Sequence, residues 1–145
     1  MVRPAEGQLA YQDFAWHPEK NCLVTLRHVP TEKLKSSDTG RLQLELVAWD
    51  LDRQEVRSLP GALDHRISRI VVSPDGRRIA MGNLGHTIRM WDFESGQEVL
   101  TLRRFSDWVT DVAFSADGHQ LVAGCVDGTT TIFDATPIEE RKDSP

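Results

Sequence analysis

The sequence predicts an all-β protein built from about three copies of a unit with four short antiparallel strands. The stretch "ISRIVVSPDGRRIAMGN" begins at Ile67, and "VTDVAFSADGHQLVAGC" begins at Val109, 42 residues later, and the two stretches align with no gap. Turn-forming residues divide each copy into short apolar runs spaced about ten residues apart. Because a period of this length is typical of repeat architectures, a single ordinary core is the less favoured interpretation.

The middle copy shows all four strands. Short apolar runs at Ile70 to Val72 and at Ile79 to Met81 suit buried strands. The "SPDG" between them contains proline, aspartate and glycine, which favour a tight turn and therefore predict a hairpin. The alternating stretch "TIRMWDF" and the later "EVLTL" follow the turns "NLGH" and "ESGQ". Four such strands, repeated along a chain, are typical of a propeller blade.

The other two copies are less complete. The third runs through "TTTIFDA" and ends before a fourth strand, while the first aligns "YQDFAWHPEKNCLVTL" with "ISRIVVSPDGRRIAMG". About 14 additional residues in the first copy, "HVPTEKLKSSDTGR", are interpreted as an enlarged hairpin tip. We expect blades at about 8–60, 61–103 and 104–136 and a charged tail at 137–145. Since closed propellers have about four to eight blades, three blades predict an incomplete ring.

The repeated units resemble WD40 repeats from roughly Tyr11 to Asp134. The resemblance rests on the "SPDG" turn and on a closing Trp-Asp pair, found at Trp49/Asp50 and Trp91/Asp92 and changed to Phe133/Asp134. The family's Gly-His pair is absent, and the hydrogen-bonding residues of its blades are only partly present, so apolar packing is expected to hold these blades. The resemblance implies a noncatalytic scaffold for protein–protein interaction.

Composition excludes several classes of function. The net charge of −5 comes with no basic tail, which disfavours nucleic acid as a partner. No signal-peptide core and no long apolar run are seen, so the expected location is the cytoplasm with no membrane partner. Cys22 and Cys125 are far apart and outside Cys-x-x-Cys spacing, which predicts buried, reduced thiols rather than a disulfide or zinc site. No cofactor is expected.

The residues also predict that the chain is not an enzyme. All five histidines, His17, His28, His65, His86 and His119, fall in predicted turns or loops, and none pairs at metal-ligand spacing. Within "SADGH", Ser115 to His119, serine, aspartate and histidine are close in sequence, but a catalytic triad converges from separate segments, so a turn is the favoured interpretation. The glycines do not form a phosphate-binding loop.

A candidate partner surface lies in the loop "RRFSDWVT", which contains Arg103, Arg104, Phe105 and Trp108, residue types enriched at binding hot spots. The resemblance implies that this loop shares one face with the turns between second and third strands, and hence with Lys33 and Lys35 of the insert. The alternative is that Phe105 and Trp108 pack against neighbouring blades and that the insert is a solvated loop.

Two further alternatives remain open at this stage. The first copy, with its insert and "VAWDLDRQEV", is also similar to propellers attached to hydrolases or peptidases, whose catalytic part is not in this chain. The chain could also be the C-terminal fragment of a larger propeller protein. An arc of three blades leaves an apolar face at each end, so we expect either self-association or additional blades.

Overall fold

The computed structural model describes residues 13–28, 44–63 and 67–136, and in these ranges the chain forms strands and turns with no helix. The strands are β1 (Phe14–Trp16), β2 (Cys22–His28), β3 (Leu44–Asp50), β4 (Glu55–Leu63), β5 (Ile67–Val72), β6 (Arg78–Asn83), β7 (Thr87–Asp92), β8 (Glu98–Leu102), β9 (Val109–Phe114), β10 (Gln120–Cys125) and β11 (Thr130–Asp134). The predicted all-β class is confirmed. No helix in the described ranges is long and apolar enough to cross a membrane.

The strands form three antiparallel sheets that follow one another along the chain. The first has the order β1-β2-β3-β4, the second β5-β6-β7-β8 and the third β9-β10-β11. The first strands of the sheets lie side by side, β1 against β5 and β5 against β9. Within the described part of the chain the three sheets do not close into a ring, which agrees with the incomplete propeller that the repeat count predicts.

The Ser-x-Asp-Gly turns form because their side chains replace backbone partners. Gly76 and Gly118 have φ angles of 70° and 74°, a region that residues with a Cβ rarely occupy. The Ser73 hydroxyl donates to Asp75 Oδ1 at 2.5 Å and accepts from the backbone N–H of Arg78 at 2.9 Å. The predicted hairpin between β5 and β6 is therefore confirmed, and the turn between β9 and β10 repeats it.

All three sheets share one register. Leu23 pairs with Trp49 and Ile79 pairs with Trp91. Leu121 pairs with Phe133 at the same place in the third sheet. Because side chains alternate across a strand, these pairs put equivalent side chains on equivalent faces. Residues 42 positions apart in the sequence therefore occupy equivalent packing positions in neighbouring sheets.

Two apolar cores hold the sheets together. The first lies between the first and second sheets and includes Val24, Ile79 and the fully buried Trp91. The second lies between the second and third sheets and includes Met90 and Leu121. Each sheet is thus packed on its neighbour through apolar side chains, as expected for blades that lack most of the family's polar network.

The cysteines and histidines test the sequence predictions one by one. Cys22 lies in the first core and Cys125 in the second, and both are free and buried, as predicted. The prediction that every histidine lies in a turn is wrong for His28, which is the last residue of β2. His65 lies outside the described residues.

Candidate functional site

The loop predicted to bind a partner lies at the edge of the sheets where β9 begins and β10 ends. We call this the Trp108 edge. The backbone N–H of Val126 donates to the Trp108 carbonyl at 3.0 Å, and the Ser106 hydroxyl donates to Asp127 Oδ2 at 2.6 Å. The loop therefore does lie against the turn between the second and third strands of its own sheet.

The four residues singled out in this loop divide between surface and core. Trp108 is 47% exposed, next to Val126, which is 55% exposed. Arg103 and Arg104 are also exposed. Phe105, however, is 8% exposed and packs edge-on against Phe133 with 5.6 Å between ring centroids. Phe105 therefore lies in the second core, where it can support the loop but presents little surface to a partner. Lys33 and Lys35 lie outside the described residues.

A second group of polar residues lies at the opposite edge, around Phe93, and the sequence analysis did not predict it. His17 follows β1 and is 2% exposed. Its Nδ1 accepts from the backbone N–H groups of Glu19 at 3.2 Å and Lys20 at 3.1 Å, so the ring proton is on Nε2. Nε2 donates to the Gly76 carbonyl at 3.0 Å, which joins the first sheet to the Ser-x-Asp-Gly turn of the second.

The neutral form of His17 suits this environment. Burial lowers the pKa of His17 below its ordinary value, and the nearby Lys20 ammonium lowers it further. The hydrogen bond to Gly76 and the carboxylates of Glu19 and Asp75 act in the opposite direction but do not reverse the effect. A neutral imidazole that both accepts and donates is therefore the form that the folded protein holds.

Phe93 forms the centre of this edge, which we call the Phe93 edge. The His17 ring packs on it at 4.6 Å between centroids, and the charged groups of Lys20 and Arg57 lie 5.0 and 5.1 Å from its ring centre. Arg57 also donates to the backbone carbonyls of Phe93 at 2.5 Å and Glu94 at 2.7 Å. These contacts run from the first sheet to the second.

Two open crevices flank Phe93, of about 530 and 810 Å³. Their walls carry both signs of charge, from Lys20, Arg57 and Arg77 to Glu19 and Glu94. Mixed charge of this kind selects no class of ligand, and the polar groups nearest Phe93 already bond across the sheet junction. We therefore assign the Phe93 edge to holding the sheets together.

The junction between the second and third sheets has a matching contact. Arg78 Nη2 donates to the Gly118 carbonyl at 2.9 Å, Nη1 donates to the Ala135 carbonyl, and the guanidinium lies 5.3 Å from the centre of the Phe114 ring. His17 and Arg78 thus each donate to the glycine carbonyl of the next sheet's Ser-x-Asp-Gly turn. At both junctions, apolar packing is therefore supplemented by a hydrogen bond to the carbonyl of a turn glycine.

A line of charge follows the three first strands. Asp13 Oδ2 accepts from the backbone N–H of Ile70 at 2.6 Å and lies 4.0 Å from Arg69 Nη1. Arg69 Nε lies 3.4 Å from Asp111 Oδ1. These residues occupy the same position in β5, β9 and the residue before β1. Charge therefore alternates from sheet to sheet along this line.

The serine, aspartate and histidine of "SADGH" form a turn. The Ser115 hydroxyl donates to Asp117 Oδ1 at 2.5 Å, and the same carboxylate accepts from the backbone N–H of His119 at 2.9 Å. These bonds lower the pKa of Asp117, with the Ser115 hydroxyl the largest cause. The Ser115 hydroxyl therefore donates to the aspartate of its own turn. Among the described side chains, no group of three or more His, Cys, Asp or Glu residues could hold a metal ion.

The sequence analysis missed His17, Phe93 and Arg78 because each acts across a junction. His17 and Gly76 are 59 residues apart, and Arg78 and Gly118 are 40 apart. The repeated turn glycines, Gly76 and Gly118, were a signal in the sequence that could have indicated these contacts. Both have a positive φ, and the carbonyl of each accepts a hydrogen bond from the preceding sheet.

Comparison with protein families agrees with the geometry. A family model described as "WD40: WD domain, G-beta repeat" matches residues 53–92 and 96–134, together more than half of the 145 residues. Each matched segment contains the last strand of one sheet and the first three strands of the next. The sequence repeat is therefore offset by one strand from the sheet and links neighbouring sheets.

Several curated proteins are similar to the chain. Nuclear distribution protein PAC1 of Coccidioides posadasii is 33% identical over 96 residues, which are 61% of this chain and 20% of that protein. Coronin-7 of Bos taurus is 28% identical over 134 residues, 89% of this chain and 14% of that protein. Eukaryotic translation initiation factor 3 subunit I of Bos taurus is 28% identical over 79 residues, 54% of this chain and 24% of that protein.

The match therefore spans less than a quarter of each of these relatives. The two segments that the family model matches each contain a Ser-x-Asp-Gly turn and a closing aromatic-aspartate pair. On the family match and on three stacked antiparallel sheets in one register, the chain belongs to the WD40 repeat family.

Proposed function

We propose that this chain is a noncatalytic WD40-repeat scaffold that binds a protein partner through its Trp108 edge. The observation that carries the proposal is the exposed pair Trp108 and Val126, flanked by exposed Arg103 and Arg104. Large solvent-exposed apolar side chains next to arginines are more typical of binding hot spots than of the rest of a protein surface.

The hydrogen bonds of the loop support this proposal. The Trp108 carbonyl and the Ser106 hydroxyl are both bonded to the turn at Val126 and Asp127, and Phe105 anchors the loop in the core. A loop held in this way presents Trp108 with little conformational entropy left to lose on binding, which favours affinity. We propose that Lys33 and Lys35 extend the same surface.

The alternative of a propeller attached to a hydrolase receives no support from the family match or from the relatives described above. One of those relatives is by its name a subunit of a larger factor. We therefore favour a role in assembly and propose that the protein acts in the cytoplasm. Turnover of a hydrolase substrate by the purified chain, abolished by Ser115→Ala or His119→Ala, would contradict the noncatalytic assignment.

The binding surface can be tested once affinity purification has identified a partner. Arg104→Ala and Trp108→Ala should each weaken binding by about 1 to 3 kcal/mol in a calorimetric titration, as hot-spot residues do. Arg77→Ala is the matched control, because Arg77 is exposed in a turn at the opposite edge. If both loop variants melt and bind like the wild type, Trp108 has no role in binding and the proposed surface is wrong.

A further inference from the structure

Charge is unevenly distributed along the chain, and the last part of the sequence is acidic. Residues 105–136, which include the third sheet and most of the loop before it, contain five aspartates and one histidine but no lysine or arginine. The remaining residues contain equal numbers of acidic and basic side chains, so the aspartates of this segment account for the net charge of −5. Trp108 lies in this segment. A surface with an excess of one sign of charge favours ligands of the opposite sign.

Two carboxylates adjoin the exposed pair Trp108 and Val126. Asp107 precedes Trp108, and its Oδ1 accepts from the Trp108 backbone N–H at 2.7 Å. Asp127 follows Val126, and its Oδ2 accepts from the Ser106 hydroxyl at 2.6 Å. The hydrogen bond from the Val126 N–H to the Trp108 carbonyl joins the two halves of this group. An exposed apolar pair is therefore held next to two acidic side chains.

The Asp127 carboxylate is held in its charged form and stays accessible. The Ser106 hydroxyl donates to Oδ2, while the Thr129 hydroxyl and backbone N–H donate to Oδ1 at 2.6 and 2.9 Å. These hydrogen bonds lower the pKa of Asp127 below its ordinary value, and the Ser106 hydroxyl is the largest cause. Asp127 is exposed. Its position is therefore fixed, and its negative charge can still pair with a cation from outside.

The repeated turn does not itself require a carboxylate at this place. In the second sheet, 42 residues earlier, Gly85 stands at the position of Asp127. Both turns contain a residue of positive φ one position later, His86 at 63° and Gly128 at 84°. The turn of the second sheet therefore forms without an acidic side chain. Asp127 is thus a feature of the Trp108 edge and not of the repeat.

The Trp108 ring differs from other aromatic rings of the structure in its contacts with cations. Lysine or arginine groups of the chain lie 5.0 to 5.3 Å from the ring centres of Trp91, Phe93 and Phe114. Within the described ranges, no such group lies on Trp108, which is 47% exposed. Among aromatic side chains, tryptophan attracts a cation to its face most strongly. An exposed indole beside two carboxylates therefore favours a basic side chain from a partner.

We propose that the partner at the Trp108 edge presents a lysine or arginine side chain, which packs on the Trp108 ring and pairs with Asp107 and Asp127. This inference rests on the proposed function, in which Trp108 contacts a protein partner. A basic side chain matches both features of the site, because its methylene groups cover apolar surface such as Val126 while its charged end reaches the carboxylates.

The two arginines of the loop contact a different part of the partner. Arg103 and Arg104 precede the buried Phe105, whereas Trp108 follows it. The hydrogen bond from Arg89 is the largest cause of the lowered pKa of Glu98 in β8, and the Arg103 cation adds to it. Arg103 therefore lies toward the second sheet. Arg104→Ala tests the proposed function but not the class of side chain that Trp108 binds.

The experiment is an NMR titration of the full chain with two capped tripeptides. One has arginine between two glycines, and the other has citrulline, which keeps the shape of arginine without its charge. The indole N–H signal of Trp108, identified as the one missing from Trp108→Phe, should shift and saturate with the arginine peptide. The citrulline peptide should bind about three- to tenfold more weakly. The indole signals of Trp16, Trp49 and Trp91 are internal controls and should not shift.

Removal of one charge tests the role of the carboxylates. Asp127→Asn keeps an acceptor for Thr129 but removes the negative charge, so it should weaken the arginine peptide about two- to fivefold and leave the citrulline peptide unchanged. Asp117→Asn is the matched control, because Asp117 also accepts from a serine hydroxyl but lies in the turn between β9 and β10, at the opposite edge. Equal binding of the two peptides, or no shift of the Trp108 signal, overturns the proposal.

The same variants separate this inference from the proposed function in the titration with the purified protein partner. A basic contact requires that Trp108→Ala and Asp127→Asn both weaken binding, and that added salt weakens the wild-type complex. If Trp108→Ala weakens binding while Asp127→Asn and salt leave it unchanged, the proposed surface stands and the basic side chain is wrong. If Trp108→Ala also binds like the wild type, the proposed surface itself is wrong.

Discussion

At the scale of single residues, two separate features of the structure require glycine at position 76, Gly76. Its φ of 70° disfavours any residue with a Cβ, and a Cβ built on it would lie 2.6 Å from His17 Nε2, closer than real Cβ contacts come. Gly128 has a similar φ of 84° but nothing within 4 Å of the same position. Substitutions at these two glycines therefore separate the free-energy cost of the backbone conformation from that of the steric clash.

Gly76→Ala should destabilise the protein more than Gly128→Ala does. Both substitutions carry the backbone cost of about 1 to 2 kcal/mol, and Gly76→Ala adds about 1 to 3 kcal/mol because His17 must move and lose its bond to the carbonyl. Chemical denaturation measures both. In a His17→Ala background the difference between the two alanine variants should shrink, and an undiminished difference would show that His17 is not its cause.

The lowered pKa of His17 predicts how stability depends on pH. Because the folded protein holds the neutral ring, the unfolded chain binds a proton near pH 6.5 while the native state does not. The contribution of His17 is therefore fully present above about pH 6.5 and is lost as pH falls toward its lowered folded pKa. The free energy of unfolding should fall between pH 7 and 5.

His17→Gln should flatten that dependence, since glutamine does not titrate. Urea titrations at several pH values measure the slopes. A His17→Gln protein with an unchanged slope would contradict a neutral, buried His17 in the native state.

The residue scale also shows which features the sequence could predict. The turn residues Ser73 to Gly76 act on their own neighbours, so the hairpin was predictable from local chemistry. The bond between His17 and Gly76 depends on two turns 59 residues apart, and a lone histidine in a predicted loop carries no sign of it. Phe105 was ambiguous for the related reason that an aromatic residue suits both a core and a surface.

At the scale of strands and sheets, the alternation of apolar and polar side chains made the strands predictable. The contact of Arg78 with the third sheet was not predictable in this way. "TIRMWDF" and "EVLTL" were expected as strands and correspond to β7 and β8. The third sheet is attached through Arg78, whose two Nη atoms donate to Gly118 and Ala135. The flanking Arg77 is exposed. Arg78 therefore bonds to the third sheet, whereas the adjacent Arg77 faces solvent.

Arg78→Met should loosen the third sheet specifically. Methionine keeps apolar contact with Phe114 but cannot donate to the two carbonyls, which loses roughly 1 to 3 kcal/mol for charged hydrogen bonds. Hydrogen exchange should become faster in β10 and stay unchanged in β2. Arg77→Met is the control and should exchange like the wild type. Equal acceleration in all three sheets would indicate general destabilisation instead of a clamp.

At the scale of the whole molecule, the contacts between strands of different sheets run from the first sheet to the second and from the second to the third in the described residues. The stability of such an arrangement is approximately a sum over sheets and junctions, so parts of it can open independently. Each junction contains one cysteine, Cys22 in the first core and Cys125 in the second. Burial raises the pKa of the Cys22 thiol, and the nearby Asp50 carboxylate adds to the effect, which disfavours the reactive thiolate.

The two thiols should therefore report the order in which the junctions open. Both should react slowly with iodoacetamide in the native protein, and labelled peptides can be assigned by mass spectrometry. As urea is raised below the main transition, Cys125 should react before Cys22, because the described third sheet has three strands and the first has four. Arg78→Met should widen this gap and Arg77→Met should not. If both thiols become reactive together at every urea concentration, the three sheets unfold as one cooperative unit, and the stacking energies of the two junctions cannot be separated.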